Sequence, residues 1–506
     1  MTAGSRPTTG SAPAVQLPRI LGPIRPRPRP TETTLFLLVA VTLLVGRVSL
    51  SLTQTGSFAV EDARGLLIYL GVLLAAHLAQ VLAGRRSDQV LLPTVGLLGG
   101  ISLLLMQRLP QELVTLQFGE TTLGLGEVQL VWLCLAIGLA TTIALVVRSD
   151  SWLRRYKYTW AVVGIILLLL TFAFGSDVGG QRLTLRIGPF GGQPSELLKV
   201  ILVIFLAGYL SENRPLLIEQ DTRLGPLRLP PLPYLAPMVA MWAIALGVVV
   251  VQRDLGAALL FFAVFLALAY AATGRISLVV IGLVLFLAGS TLMAQLFDHV
   301  RDRIDIWIDP FADPLGAGYQ VVQSLHAFAR GGLLGTGLGA GLPTVGGRLP
   351  IPEVHTDFPL AALGEELGLV GVVAILGCFL VIVQRGLRIG AAAADDFRAI
   401  LATGLALVIG VQAFIIAAGN LKVLPLTGVT LPFISYGGSS LLANAIVIGL
   451  LLALSDRGVE PPPAPGPVGR DGWLARRRLR SGRARATGTS GRRAGSASAA
   501  ATREGR

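Results

Sequence analysis

Apolar runs of about twenty residues, the length that crosses a hydrocarbon core as a helix, recur along the chain. They lie at 33–52, 65–84, 90–107, 128–147, 157–175, 195–210, 232–251, 254–272, 276–296, 357–385, 397–418 and 436–455. The pattern predicts an all-α, polytopic transmembrane bundle of about twelve spans. The forty-one nearly apolar residues 232–272 are about twice what one crossing needs. They must form two spans that turn back at Gln252-Arg253-Asp254, leaving Asp254 at the mouth of the hairpin. Four polar patches rich in glycine or proline interrupt the apolar pattern: Gln193 to Lys199, Gln252 to Gly256, Tyr319 to Glu366, and Leu424 to Ser440. Counting spans puts all four on one side of the membrane. Polar groups converging at one face of a helical bundle are costly unless they line a site, so the pattern predicts a polar cavity on that side.

Charge fixes which side it is. Short loops carrying Arg85-Arg86, Arg148, Arg154, Arg155, Lys157, Arg214, Arg223, Arg228, Arg275, Arg385, Arg388 and Arg398 alternate with longer, glycine-rich loops that carry the patches. The positive-inside rule places the basic set in the cytoplasm. Both tails join it, so the chain is read as a multi-pass plasma-membrane protein with both tails cytoplasmic. Residues 1–32 and 457–506 hold five and twelve arginines. They are expected to be disordered basic tails drawn to anionic lipid, flanking a membrane domain over 33–456. The first tail has no apolar core of its own and is not a cleavable signal peptide. A net charge of +13 does not point to nucleic acid, because it resides in the tails with no aromatic-studded basic fold beside it. Cys134 and Cys378 both fall inside spans and are far apart, which offers neither a disulfide framework nor a metal-ligand spacing. With 53% hydrophobic and 14% charged residues, the composition agrees with a membrane protein.

Several residues within the patches have the chemistry of a site, and each also has a structural reading. Asp254, followed by Leu255-Gly256-Ala257, is either a partly buried base, whose pKa burial raises, or the N-cap of the following helix. In Gln193-Pro194-Ser195-Glu196 the proline and the glutamate mark a helix start. Glu196 and Lys199 then share a helix face, as an ion pair or as groups facing the cavity. Arg182 and Arg186 suit either phosphate or lipid headgroups. Tyr319, Val322, Leu325 and Phe328 repeat at helical spacing while Gln320, Gln323 and Ser324 face elsewhere, which predicts an amphipathic helix on or dipping into the outer leaflet. The glycines from Gly331 to Gly339 read as sharp turns, since no phosphate-loop lysine accompanies them. His355 and Asp357 open the next span as hydrogen-bonding groups or a proton shuttle, and they fall short of a zinc site. Glu365 and Glu366 lie about two turns inside it, where acids face a cavity or a partner. The free N–H groups of Ser435-Tyr436-Gly437-Gly438-Ser439-Ser440 suit an anion or close helix packing.

Taken together the patches resemble the SEDS family, the RodA/FtsW/SpoVE group of bacterial shape, elongation, division and sporulation membrane proteins. The matching stretches are Gln193 to Lys199, Asp254-Leu255-Gly256, Gly318-Tyr319-Gln320 with Gln323-Ser324-Leu325, Glu353 to Phe358 with Gly364 to Gly368, and Pro425 to Gly428 with Leu431 to Ser440. The likeness runs over roughly 90–456, and the leading spans with Leu441-Leu442-Ala443-Asn444 look like RodA-type members of high-GC Gram-positive bacteria. The resemblance implies a ten-span core with two added N-terminal spans and a large extracytoplasmic loop between spans nine and ten. It implies a peptidoglycan glycosyltransferase that polymerises lipid II outside the plasma membrane, beside a class B penicillin-binding protein. Asp254 matches the family's essential aspartate and would act as general base. Glu196, Lys199, Gln323, Ser324, His355, Asp357, Glu365, Glu366, Ser435, Gly437, Gly438 and Ser439 would meet substrate. Arg182, Arg186 or a divalent cation such as Mg or Mn would steady the leaving group. The chain departs from the family at Gln252-Arg253, where a glutamate often precedes the aspartate, and at Lys422. Two rival readings are a lipid II flippase, suited by intramembrane acids and Lys199, and a non-catalytic scaffold for a penicillin-binding protein.

Overall fold

The computed structural model describes residues 26–456 except 119–120, 179–180, 188–189, 220–221, 225–226, 230–231, 252–253 and 342–348. Most of the first basic tail, all of the second, and Gln252 with Arg253 lie outside the described residues. Among those described, eleven helices are long and apolar enough to cross a membrane: α1 (Pro30–Thr55), α2 (Arg64–Leu82), α3 (Leu91–Arg108), α4 (Leu125–Val146), α6 (Lys157–Phe174), α7 (Pro194–Glu219), α9 (Leu255–Thr273), α10 (Ile276–Leu296), α13 (Pro359–Ala391), α14 (Asp396–Asn420) and α15 (Gly438–Ser455). A further apolar helix of 20 residues, α8 (Leu232–Val251), packs against α9, so the long apolar stretch does fold back just before Asp254. α5 (Ser151–Arg155), α11 (Asp298–Ile308) and α12 (Tyr319–Gly331) are short. The molecule is not purely helical: among the described residues three small antiparallel sheets sit in the loops, β1–β2 (Leu116–Phe118, Thr121–Leu123), β3–β4–β5 (Ser176–Val178, Gln181–Ile187, Phe190–Gly192) and β6–β7 (Thr222–Leu224, Leu227–Leu229). Hydropathy could not reveal them, because they lie between the apolar runs.

α7 and α3 form the interior, with 78% and 72% of their apolar windows buried, whereas α10, at 6%, faces outward along nearly its whole length. The basic loops meet at one end. Arg29 donates to Glu32 at 2.5 Å and to Ser87 Oγ at 3.0 Å, and His77 Nδ1 lies 3.0 Å from Glu32. Arg85 pairs with Asp456 at 2.9 Å, Arg398 with Asp150 at 2.8 Å, and Arg385 with Asp88. Arg29 and Glu32 are buried and α1 starts at Pro30, which corrects the expected tail boundary: residues 29–32 belong to the packed domain.

At the opposite end α13 is broken. Gly368 takes φ 66° and ψ −169° inside it, and the freed backbone groups find partners in the glycine loop after α12. Leu369 N donates to Gly332 O at 2.9 Å and Val370 N to Leu333 O at 3.2 Å, while Thr336 N and Gly337 N reach Glu365 O and Glu366 O at 2.9 and 3.0 Å. Irregular backbone at such depth persists only when it is satisfied in this way. α12 packs against α13 and buries Val321, Val322, Ser324 and Ala327. Of the predicted face Tyr319, Val322, Leu325 and Phe328, Val322 is buried and Phe328 packs against the core, and the polar Ser324 is buried with them.

A methyl group at Gly368 would meet Leu333 O at 2.6 Å in a left-handed conformation that costs a non-glycine residue about 1–3 kcal/mol. Gly368→Ala is expected to lower the thermal midpoint of the detergent-solubilised protein by several degrees. An unchanged midpoint would show that the break is dispensable.

Candidate functional site

Asp254 is the N-cap of α9, and its Oδ1 accepts Ala257 N–H at 3.0 Å. The other oxygen is turned to the start of α7, where Ser195 Oγ and Gln193 Nε2 donate to Oδ2 at 3.2 and 3.3 Å. Capping and a site-facing carboxylate oxygen thus coexist. Burial pushes the Asp254 carboxyl above its usual range, and the nearby Glu196 charge adds to this; the Ala257, Ser195 and Gln193 hydrogen bonds pull the other way without cancelling it. The loop after α14 comes close, since a Cβ on Gly256 would lie 2.6 Å from Thr427 O. Only glycine in the first turn of α9 permits that approach.

Behind Asp254 runs a polar relay. Lys199 Nζ donates to Glu196 at 2.6 Å and to Gln412 Oε1 at 2.7 Å. Gln412 Nε2 donates to Thr430 O at 2.9 Å, Thr430 Oγ1 lies 2.6 Å from Ser440 Oγ, and Asn444 Nδ2 donates to Ser440 Oγ at 3.2 Å. The relay joins α7, α14, the loop and α15. The ion pair expected of Glu196 and Lys199 is therefore present, and it is wired into the site wall.

Two cavities flank this region. One of about 310 Å³ is lined by Gln193, Trp132, Thr430, Tyr436, Gly438 and Ser439 among others, none of them charged. Ser439 Oγ accepts Gln193 N–H at 3.0 Å, and Gly438 lies under the Trp132 ring, with no room for a side chain. An aromatic wall with hydroxyl and amide groups suits a neutral, polyhydroxylated ligand. The other cavity, about 320 Å³, is lined by Arg303, Lys422, Asp357, Gln320 and Trp307 among others.

The remaining expected residues divide. Asp357 lines the second cavity, and burial raises its carboxyl to about 6, with Glu353 adding and Arg303 opposing. His355 O accepts Tyr436 N–H at 2.8 Å and its ring lies 5.9 Å from that of Tyr436. Burial lowers the imidazole below its usual value, against the pull of Glu353, and its Nδ1 is buried without a hydrogen-bond partner. Gly437, Gly438 and Ser439 line the uncharged cavity. Ser435 instead accepts Leu431 N–H at 2.8 Å, and Ser324 donates to Asn420 O at 3.1 Å; both pin backbone. Gln323 lines neither cavity, whereas Gln320, one turn earlier, does. Glu365 and Glu366 have arginine partners, Arg330 at 2.9 Å and Arg108, and line a small cavity with them; Glu366 also accepts Gly339 N–H of the glycine loop at 3.1 Å. Arg182 and Arg186 fall on β4, where Arg186 is in register with Gly191; their side chains lie outside the described residues. Trp132, Gln412, Thr430 and Asn444 went unpredicted. Gln412 and Asn444 each left a signal, as a lone amide inside an apolar span.

Residues 88–458 match the profile of the cell cycle protein family FtsW/RodA/SpoVE. The chain is 38% identical over 451 residues to the peptidoglycan glycosyltransferase RodA of Mycobacterium tuberculosis, covering 88% of this chain and 94% of that one. It is 35% identical over 320 residues to the probable peptidoglycan glycosyltransferase FtsW of Geobacter metallireducens, covering 63% and 81%. Among solved structures it is similar to a chain of a peptidoglycan synthase complex that coordinates polymerization and crosslinking, with TM-score 0.57, 27% identity and coverage of 73% and 98%. The Rod shape determining protein RodA of Thermus thermophilus shares the fold, with TM-score 0.50, 23% identity and coverage of 73% and 97%.

Asp357 carries a pH signature. Its carboxyl rises from 3.8 to about 6 on folding, so the folded state holds the proton more tightly. The stability this gives is complete below about pH 4 and is lost as pH rises through 6. Asp357→Asn, which mimics the protonated group, should match wild type in thermal midpoint near pH 4 and exceed it above pH 6. A difference that does not vary with pH would refute the assignment.

Proposed function

The chain belongs to the FtsW/RodA/SpoVE family of cell cycle proteins, and from that premise we propose that it is a peptidoglycan glycosyltransferase, the activity its mycobacterial relatives are named for. It polymerises lipid II into glycan strands at the outer face of the plasma membrane during cell elongation or division. The observation that carries this reading is the carboxylate oxygen of Asp254, directed away from its capping bond toward Ser195 and Gln193, the second of which also lines an uncharged, hydroxyl-rich cavity.

In the proposed step Asp254 takes the proton of the acceptor sugar's 4-hydroxyl. That oxygen bonds to the anomeric carbon of the lipid-linked donor, and the bond from the anomeric carbon to the pyrophosphate oxygen breaks. Undecaprenyl pyrophosphate leaves with the electron pair. Among the described residues no group of three His, Cys, Asp or Glu side chains is placed to hold a metal, and Asp254 is ringed by neutral donors. A divalent cation such as Mg or Mn would be held by one or two carboxylates and the substrate's own phosphates and would steady the leaving group; no step is routed through it.

Orientation follows the charge. The basic end is tied shut by ion pairs among Arg29, Glu32, Arg85, Asp456, Asp88 and Arg385, which suits a cytoplasmic face and argues against a transport path through it. The neighbouring synthase complex supports a class B penicillin-binding protein as partner. Membrane lipids surround the outward face of α10.

Asp254→Asn should cut lipid II polymerisation about 100- to 10,000-fold while keeping the fold, since asparagine also caps helices. Gel analysis of glycan chains made with and without the partner decides this, and wild-type rates in the variant would favour a scaffold. Ser195→Ala removes a bond that holds the Asp254 pKa down, so the acid limb of its kcat/KM profile should move to higher pH. A profile superimposable on wild type would separate Ser195 from the base.

A further inference from the structure

The cavity beside Arg303 has features that general-base chemistry at Asp254 does not use. Arg303 donates to Leu426 O at 3.2 Å, which aims its guanidinium along the wall, and Lys422 enters from the end of α14. Among the described residues neither cation closes an ion pair with a carboxylate. Two cations here face a single acid, Asp357, on which Arg303 acts electrostatically, and the excess of positive groups in a partly enclosed space attracts an anion. Lys422 is also strained: it has a left-handed φ of 57°, uncommon for a residue with a Cβ. The strain is held from both sides. Lys422 N–H donates to Gly419 O at 3.2 Å, and its own carbonyl accepts Trp307 Nε1–H at 3.2 Å. Backbone strain kept in place by surrounding bonds gathers at ligand clamps. The volume, about 320 Å³, lies at the small end of ligand pockets and is enough for a headgroup.

We propose that this cavity is an oxyanion subsite, in which Arg303 and Lys422 grip a phosphate or carboxylate group of the substrate while Gln320 lines the same wall. The assignment rests on the polymerase reading, because a lipid-linked peptidoglycan precursor carries both a pyrophosphate and peptide carboxylates. The loop that presents Lys422 also brings Thr427 against Gly256, so an anion seated here is one short loop from Asp254. Asp357 sets the sign of the remaining charge: protonated, it donates to the anion, and ionised, it repels it.

The full chain in lipid nanodiscs is titrated calorimetrically with inorganic pyrophosphate and, separately, with N-acetyl-D-alanyl-D-alanine. Variants are Lys422→Gln, Lys422→Gly and Lys422→Arg. Saturable binding of one probe is expected, weakened about tenfold or more in Lys422→Gln and Lys422→Gly, as for loss of a charge-assisted bond, and retained in Lys422→Arg, which also reports an intact fold. Pyrophosphate as the bound probe assigns the subsite to the leaving group, and the dipeptide assigns it to the peptide stem. Binding of neither probe, or binding indifferent to Lys422→Gln, overturns the proposal. Lipid II polymerisation by the same preparation is read separately. Binding without polymerisation keeps the subsite and removes the function; polymerisation without binding does the reverse.

Discussion

A lysine buried among apolar helices governs the architecture of the polar end. Lys199 is 2% exposed, and an ammonium taken from water into such surroundings costs several kcal/mol unless it is paired and hydrogen-bonded. Glu196 neutralises it from one turn earlier on the same helix, and Gln412 reaches it from α14. Gln412 can do so only in one orientation of its amide, because its nitrogen is spent on Thr430 O. The requirement to satisfy one charge thus fixes the spacing of α7 and α14, the path of the loop at Thr430, and through Ser440 the start of α15. The uncharged cavity inherits its walls from that chain of obligations, and the carboxylate that pairs with Lys199 also raises the Asp254 pKa.

The break in α13 follows the same logic in backbone terms. A helix 33 residues long exceeds the roughly twenty that a bilayer needs, and the excess is absorbed where Gly368 turns into left-handed space. The N–H groups of Leu369 and Val370 and the carbonyls of Glu365 and Glu366 are taken up by the glycine loop, whose own φ of 83° at Gly335 lets it lie against the break. Arg330 and Arg108 neutralise Glu365 and Glu366 at this seam. The two acids, expected to meet substrate, line a small cavity with those arginines and tie the glycine loop to α13.

The helices were legible because hydrocarbon thickness imposes a length on apolar runs, and the hairpin at Asp254 followed from a run twice that length. The N-cap was legible too, from the residue type and its place before Leu255. Side-chain partnership was not. Trp132 joins the site only because α4 and α15 lie against each other, a contact between segments roughly three hundred residues apart. The face of α12 was legible at Val322 and Phe328 but not at Ser324: spacing identifies an amphipathic helix, but which neighbour covers it decides which further residues are buried. Ser324 is polar and fully enclosed because Asn420 O needs a donor. The three small sheets fall between apolar runs, where hydropathy carries no signal.

The two oxygens of Asp254 are not equivalent, and their difference gives the proton a destination. Oδ1 is committed to the Ala257 N–H, a donor that cannot become an acceptor, so a proton arriving there would break the cap. Oδ2 faces Ser195 and Gln193. A serine hydroxyl both donates and accepts, so when Oδ2 gains a proton, Ser195 can reverse its bond and accept from it. The helix N-terminus favours the charged carboxylate while burial disfavours it, and burial prevails in raising the pKa. A base so placed holds a proton better than a solvated aspartate does, and the reversible serine bond accommodates both protonation states without moving α9 away from the loop at Thr427.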